Sequence, residues 1–191
     1  PQHQADGPPQ RRPEGRRDDD GDRPALSPPE IFYQCMLAGD PAEAAEKAEE
    51  FLKERSLSSY YEDVALKGLL LAQVDGARGA LDEARLEKIR FTVGELVDDL
   101  DDHDDVEPKP AGTTQDAEAG AAVDAVPAGV TSADLPILSP EDLPAEWRGS
   151  QPVLCVGGRT PLDEAAADIL AQVLEKHGLP ARSEGPEALS P

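Results

Sequence analysis

Apolar residues in this chain fall into two islands, 27–102 and 152–182. The sequence before, between and after them has too little periodic apolar content to join a core. That partition limits the fold to a mixture of ordered and disordered parts. The 19 Pro and 16 Gly lie mostly outside the islands, which reinforces it. Four segments are expected: a disordered tail (1–26), a helical bundle (27–102), an acidic, Pro/Ala-rich linker (103–150) and a partial α/β unit (151–191). The fold class is therefore mainly α, a small antiparallel helical bundle joined through a disordered linker to an incomplete β-α-β unit.

Helix signals in the first island are local. Ser27 precedes Pro28 and Pro29 and predicts a cap. Ile31, Phe32, Cys35 and Met36 then form an apolar face, and Gly39 is the stop. Asp40, Pro41 and Glu43 open a second helix in capping-box spacing, with Ala44, Ala48, Phe51 and Leu52 inward. Ser58 or Ser59 is the expected cap of a third helix, and from Ser59 the residue Glu62 completes another box. Its inward residues are Tyr61, Ala65, Leu69 and Ala72, and Gly76 and Gly79 mark its end. Asp82 starts a fourth helix, with Leu86, Ile89, Val93, Leu96 and Leu100 as one stripe. Short helices with short joints predict an antiparallel bundle. The aspartates from Asp98 to Asp105 oppose the helix dipole, so the last turn is expected to fray.

In the linker, the patch Leu135, Pro136, Ile137 and Leu138, with Leu143 and Trp147 beyond it, is able to dock transiently on a folded neighbour. The second island opens with Pro152 to Val156, a short apolar run that suits a buried strand. Gly157 and Gly158 follow, and Thr160-Pro161-Leu162-Asp163 starts a helix. Its expected buried face is Ala166, Ile169, Leu170, Val173 and Leu174, closed by His177 and Gly178. Leu179 to Arg182 begins a second strand. This is the opening of a doubly wound, Rossmann-like sheet, and two strands with one helix leave such a sheet unfinished. Truncation, or completion by a partner, is the expectation.

Composition limits the partners. Forty acidic residues against 18 basic ones give a net charge of −22, which excludes a phosphate-binding surface for nucleic acid. The same charge disfavours an anionic membrane surface. The cluster Arg11, Arg12, Arg16 and Arg17 reads as a solvated tail, with contact to an acidic partner as the alternative. No apolar run approaches the roughly 20 residues of a membrane helix, and the N-terminus lacks a signal-peptide core. A cytoplasmic chain with no membrane insertion of its own is expected. Cys35 and Cys155 read as reduced, buried thiols.

No catalytic residue, cofactor or metal ligand is expected. His3 and His103 lie in predicted disorder, and His177 sits at a helix end, none beside a nucleophile. The acids around His103 are consecutive and do not converge. Asp18, Asp20 and Asp22 lack the later glycine and glutamate of a calcium loop. The one seat for an anion is the strand–helix turn, with Gly157, Gly158, Arg159 and Thr160 as weak anion-site candidates. It carries neither G-x-G-x-x-G nor a Walker lysine, so structural glycines are the expected reading.

Two resemblances remain. A bundle that contains Met36-Leu37-Ala38-Gly39-Asp40, followed by a Rossmann-like start, is similar in layout to cobalamin-binding modules of bacterial sensors and methyltransferases. Those modules carry Asp-x-His-x-x-Gly after the first strand; Gly158 to Asp163 holds no histidine, which implies a module without cobalamin. The second is closer in sequence and covers about residues 22–182. Asp22 to Gln34, Met36 to Asp40, Phe51 to Leu57, Pro152 to Val156 and Pro161 to Ala166 resemble the cytosolic C-terminal region of autoinducer-2 exporter family permeases. The resemblance implies a non-enzymatic regulatory or interaction region without the transmembrane path, partnered by another protein or by a membrane-embedded permease portion. Residues 1–21 do not resemble that family's last membrane segment, so a split gene is one expectation.

Overall fold

A computed structural model describes residues 25–106, 135–150 and 152–189. The tail with its arginines and His3, and the middle of the linker, lie outside the described residues. The described residues are mainly helical, with one two-stranded parallel sheet.

Helix α1 (Pro28–Ala38) begins at a full capping box between Ser27 and Glu30. The two hydrogen bonds from Ser27 hold the Glu30 carboxyl below the usual carboxylate range. Gly39 ends the helix at φ 70°, where a residue with a side chain would be strained. In α2 (Pro41–Leu52) the Asp40 carboxylate accepts from the Glu43 N–H at 3.0 Å. The fully buried residues of α2 are the small ones, Ala44 and Ala48, which lets its backbone approach its neighbours closely.

The third helix departs from the sequence expectation. Its cap is Ser56, whose hydroxyl accepts from the Ser59 N–H, and not Ser58 or Ser59. α3 (Leu57–Tyr60) passes through a π-helical turn (Tyr61–Ala65) into α4 (Leu66–Ala77). Residues Ser56 to Tyr61 are all buried, so this segment runs through the protein instead of along its surface. Ser58 already lies inside α3, and it donates both its N–H and its hydroxyl to Asp105, far along the chain. Gly68 permits close packing of α4 on α1, since a Cβ there would lie 2.7 Å from the Phe32 ring.

Asp82 caps α5 (Glu83–Asp99) through the Arg85 N–H at 2.9 Å. Its predicted stripe holds: Ile89, Val93, Leu96 and Leu100 are buried and Leu86 packs against them.

β1 (Val153–Val156) and β2 (Ala181–Glu184) pair in parallel, with Val153 opposite Ala181 and Cys155 opposite Ser183. α6 (Pro161–Lys176) connects them and begins at a capping box between Thr160 and Asp163. It buries two faces. Leu162, Ala165 and Ile169 enter the same core as the bundle, while Ala167 and Ala171 pack on Cys155 and Ala181. The expected single face is thus corrected. Ile169 is buried, but Leu170 is 52% exposed, because the helix lies between bundle and sheet and turns Leu170 away from both.

Candidate functional site

The β1–α6 turn positions all four anion-site candidates. Thr160 is the N-cap of α6. One oxygen of Asp163, Oδ2, accepts from the Arg159 N–H at 2.9 Å, the Thr160 N–H at 3.0 Å and the Thr160 hydroxyl at 2.9 Å. Those donors are the ones an incoming phosphate would need. The Gly157 N–H is spent on the Glu184 carbonyl at 3.0 Å. A Cβ on Gly158 would lie 2.7 Å from Asp163 Oδ2, so this glycine makes room for the protein's own carboxylate. The Arg159 side chain is exposed. The turn is therefore a self-filled anion site. Titration with inorganic phosphate to the millimolar level is expected to leave the Arg159 and Thr160 amide resonances in place; saturable shifts at both would show that phosphate displaces Asp163.

The polar chemistry of the interior lies elsewhere. Gln172 is buried on α6 and bridges two other elements. The Tyr61 hydroxyl donates to Gln172 Oε1, and Gln172 Nε2 donates to the Val97 carbonyl at 2.6 Å. Val97 is in the last turn of α5, where carbonyls have no helical partner, so Gln172 completes that helix end. Burial raises the Tyr61 phenol far above its ordinary range and keeps it a neutral donor.

Near the end of α6 is a second polar junction. The Asp105 side chain is 2% exposed and the His177 side chain 11%. Asp105 Oδ1 accepts from the Ser58 N–H at 2.8 Å and the Ser58 hydroxyl at 3.0 Å. Asp105 Oδ2 lies 2.8 Å from His177 Nε2. His177 Nδ1 lies 3.1 Å from the Pro136 carbonyl, and the Leu138 N–H donates to the His177 carbonyl at 2.9 Å. The chain before β1 is thereby held on α6. The patch read as a transient dock is seated there, with Leu143 buried and Ile137 and Trp147 outward. Asp105, read from the sequence as part of a fraying turn, is the hub of the contact. His103, in the same turn, has its Nδ1 buried with no hydrogen-bond partner among the described residues.

Between α4 and α6 runs an apolar groove of about 380 Å³, lined by Leu66, Leu135, Ala166, Ile169, Leu170 and Val173, with Glu62 at its side. Leu70, next along α4, is 57% exposed. A wider depression between α5, α6 and β2 carries Asp98, Asp101, Asp168, Glu175 and Arg182. Among the described residues no three His, Cys, Asp or Glu side chains gather closely enough to hold a metal ion. Burial raises the thiol of Cys155, and burial followed by Glu43 and Asp40 raises that of Cys35, so both are poor nucleophiles.

Comparison of the chain with protein-family models, curated proteins and solved structures returns no match.

Proposed function

We propose that this chain is a non-enzymatic regulatory or interaction region that seats an apolar segment of a partner protein in the α4–α6 groove. The observation that carries the reading is the groove itself. Leu66, Leu70 and Leu170 stay exposed on two adjacent helices, forming contiguous apolar surface instead of scattered single residues. The net charge of −22 and Glu62 beside the groove favour an apolar segment with basic flanks.

On the resemblance to autoinducer-2 exporter permeases, the proposed partner is a membrane-embedded permease portion and the proposed location is the cytoplasmic face of the inner membrane. No helix among the described residues is long and apolar enough to cross a membrane, so the spanning part of such an assembly would be contributed from outside these residues. The test is to read the flanking DNA for a permease portion and to co-purify this region with it. The double substitution Leu70→Asp and Leu170→Asp alters exposed positions and is expected to abolish recovery while circular dichroism stays unchanged. A folded double variant recovered as well as the native chain rejects the groove, and flanking DNA without a permease segment rejects the partner class.

The packing of a β-α-β unit directly on a helical bundle favours a second reading, a stand-alone binding module of cobalamin-module layout that lacks the cobalt-ligating histidine. A visible-absorbance shift on adding cobalamin would revive this second reading.

A further inference from the structure

We propose that His177 is a proton-operated latch: its doubly protonated ring fastens residues 135–138 to the end of α6, and loss of one ring proton releases them. Because Leu135 lines the apolar groove, the latch sets the shape of the surface to which the proposed function assigns docking, and in that respect it rests on that reading.

The argument is donor accounting. Both ring nitrogens face acceptors, Nδ1 the Pro136 carbonyl at 3.1 Å and Nε2 the Asp105 carboxylate at 2.8 Å. A carbonyl only accepts, and so does an ionised carboxylate. The other Asp105 oxygen already accepts two hydrogen bonds from Ser58. A neutral imidazole has one N–H, so it satisfies one of these contacts; the imidazolium satisfies both. With the two side chains 11% and 2% exposed, water is poorly placed to substitute.

The contact that fails is also fixed. A hydrogen bond to a carboxylate is stronger than one to a neutral carbonyl, so the neutral ring keeps its proton on Nε2, toward Asp105. The bare Nδ1 then faces the Pro136 oxygen, two acceptors at hydrogen-bond distance. The Leu138 N–H to His177 carbonyl bond remains as the neighbouring anchor, and it is weakened as the strap lifts. The fastened form holds a proton that the released form gives up, so rising pH favours release. The other titratable groups on the segments around the ring include Tyr61, hydrogen-bonded to Gln172, the Lys176–Asp101 pair, His103, Asp142 on the Ser139 N–H, and the exposed Asp102, Asp104 and Glu175.

Two measurements on the whole chain without any partner test the latch. Nitrogen NMR of the His177 ring, followed from about pH 5.5 to 8.5, is expected to show both nitrogens protonated where Leu138 is protected and only Nε2 protonated where it is released. Hydrogen exchange, corrected for its intrinsic pH dependence, is expected to show protection of the Leu138 amide falling roughly tenfold over the same range while α5 amides hold. His177→Gln is expected to flatten that dependence. Gly178→Ala gives the released baseline at every pH, because a Cβ at this φ 79° position runs into the Leu138 carbonyl. Protection of Leu138 that does not change with pH in the native chain, or a ring carrying one proton while Leu138 is fully protected, overturns the latch. If His177→Gln does not fold, those two native-chain readings decide alone. Neither involves the groove's occupant, so failure of the docking reading leaves them unaltered.

Discussion

Tyr60→Ala is expected to destabilise the chain by about 3–5 kcal/mol, the range for removing a buried aromatic ring from a core. Tyr60 is 2% exposed and is the centre of an aromatic cluster. Its ring meets Phe32 edge-on at 6.3 Å, Phe51 at 5.6 Å and Tyr61 at 5.8 Å. Those partners come from α1, the end of α2 and the π-helical turn, so one deletion loosens three contacts at once. The aromatic geometry adds about 0.5–1.5 kcal/mol per pair beyond the burial of area. Urea denaturation followed by circular dichroism checks the result. Tyr60→Phe, which keeps the ring, is expected to stay within about 1.5 kcal/mol of the native chain, as near-isosteric core changes do. A Tyr60→Ala chain as stable as native would mean that the aromatic cluster does not hold these elements together.

Asp105→Ala is expected to cost a comparable amount, about 3–5 kcal/mol, for an unrelated reason. The substitution removes no apolar packing. It strands the Ser58 N–H and the His177 ring in a site that water barely reaches and leaves the Ser58 hydroxyl only the Ser56 hydroxyl at 3.3 Å, and breaking one side of a buried polar or ionic link carries that penalty. Asp105→Asn keeps an acceptor oxygen for the Ser58 pair and offers an amide N–H to a neutral His177 Nε2, so it is expected to lose only part of it. Denaturation midpoints order the series native, Asn, Ala. Exchange at the Ser58 amide, read in parallel, is expected to accelerate most in the alanine variant. Equal stability of the alanine and native chains would show that the Asp105 junction is solvated and free to rearrange.

The sequence made the helix ends readable because caps are local chemistry. Ser27 with Glu30, Asp40, Asp82 and Thr160 with Asp163 all sit within three residues of the groups they satisfy. Gly39 and Gly178 read as stops for the same reason, each taking a positive φ at a helix end. The apolar stripe of α5 was readable because that helix buries one side. α6 was misread because it buries two: Leu162 and Ala165 serve the bundle, Ala167 and Ala171 the sheet, and no single stripe results. Gln172, polar and buried, has no local signature at all; its partners are 75 and 111 residues away. Asp105 did leave a trace. An acid just past a helix C-terminus is locally unfavourable, and such a conflict is a sign of a remote partner. Here the partners are Ser58, 47 residues earlier, and His177, 72 residues later. For the candidate site, the turn at Arg159 and Asp163 as a cap acid in the first helical turn were legible from the sequence; that Asp163 Oδ2 gathers the Arg159 and Thr160 donors is seen only in the geometry.

The π-helical turn at Tyr61–Ala65 acts as a phase shifter. Successive residues of an α-helix step about 100° around its axis, so one surplus residue reorients everything downstream by roughly that angle. Without it, a single straight rod from Leu57 to Ala77 would address one set of neighbours. With it, Leu57–Tyr60 lies against α2, while Leu66–Ala77 reaches α1 and α6. One unbroken stretch of backbone thereby serves two differently aimed surfaces, and the alignment of the aromatic cluster with the outward leucines is set by a count of residues in a single turn.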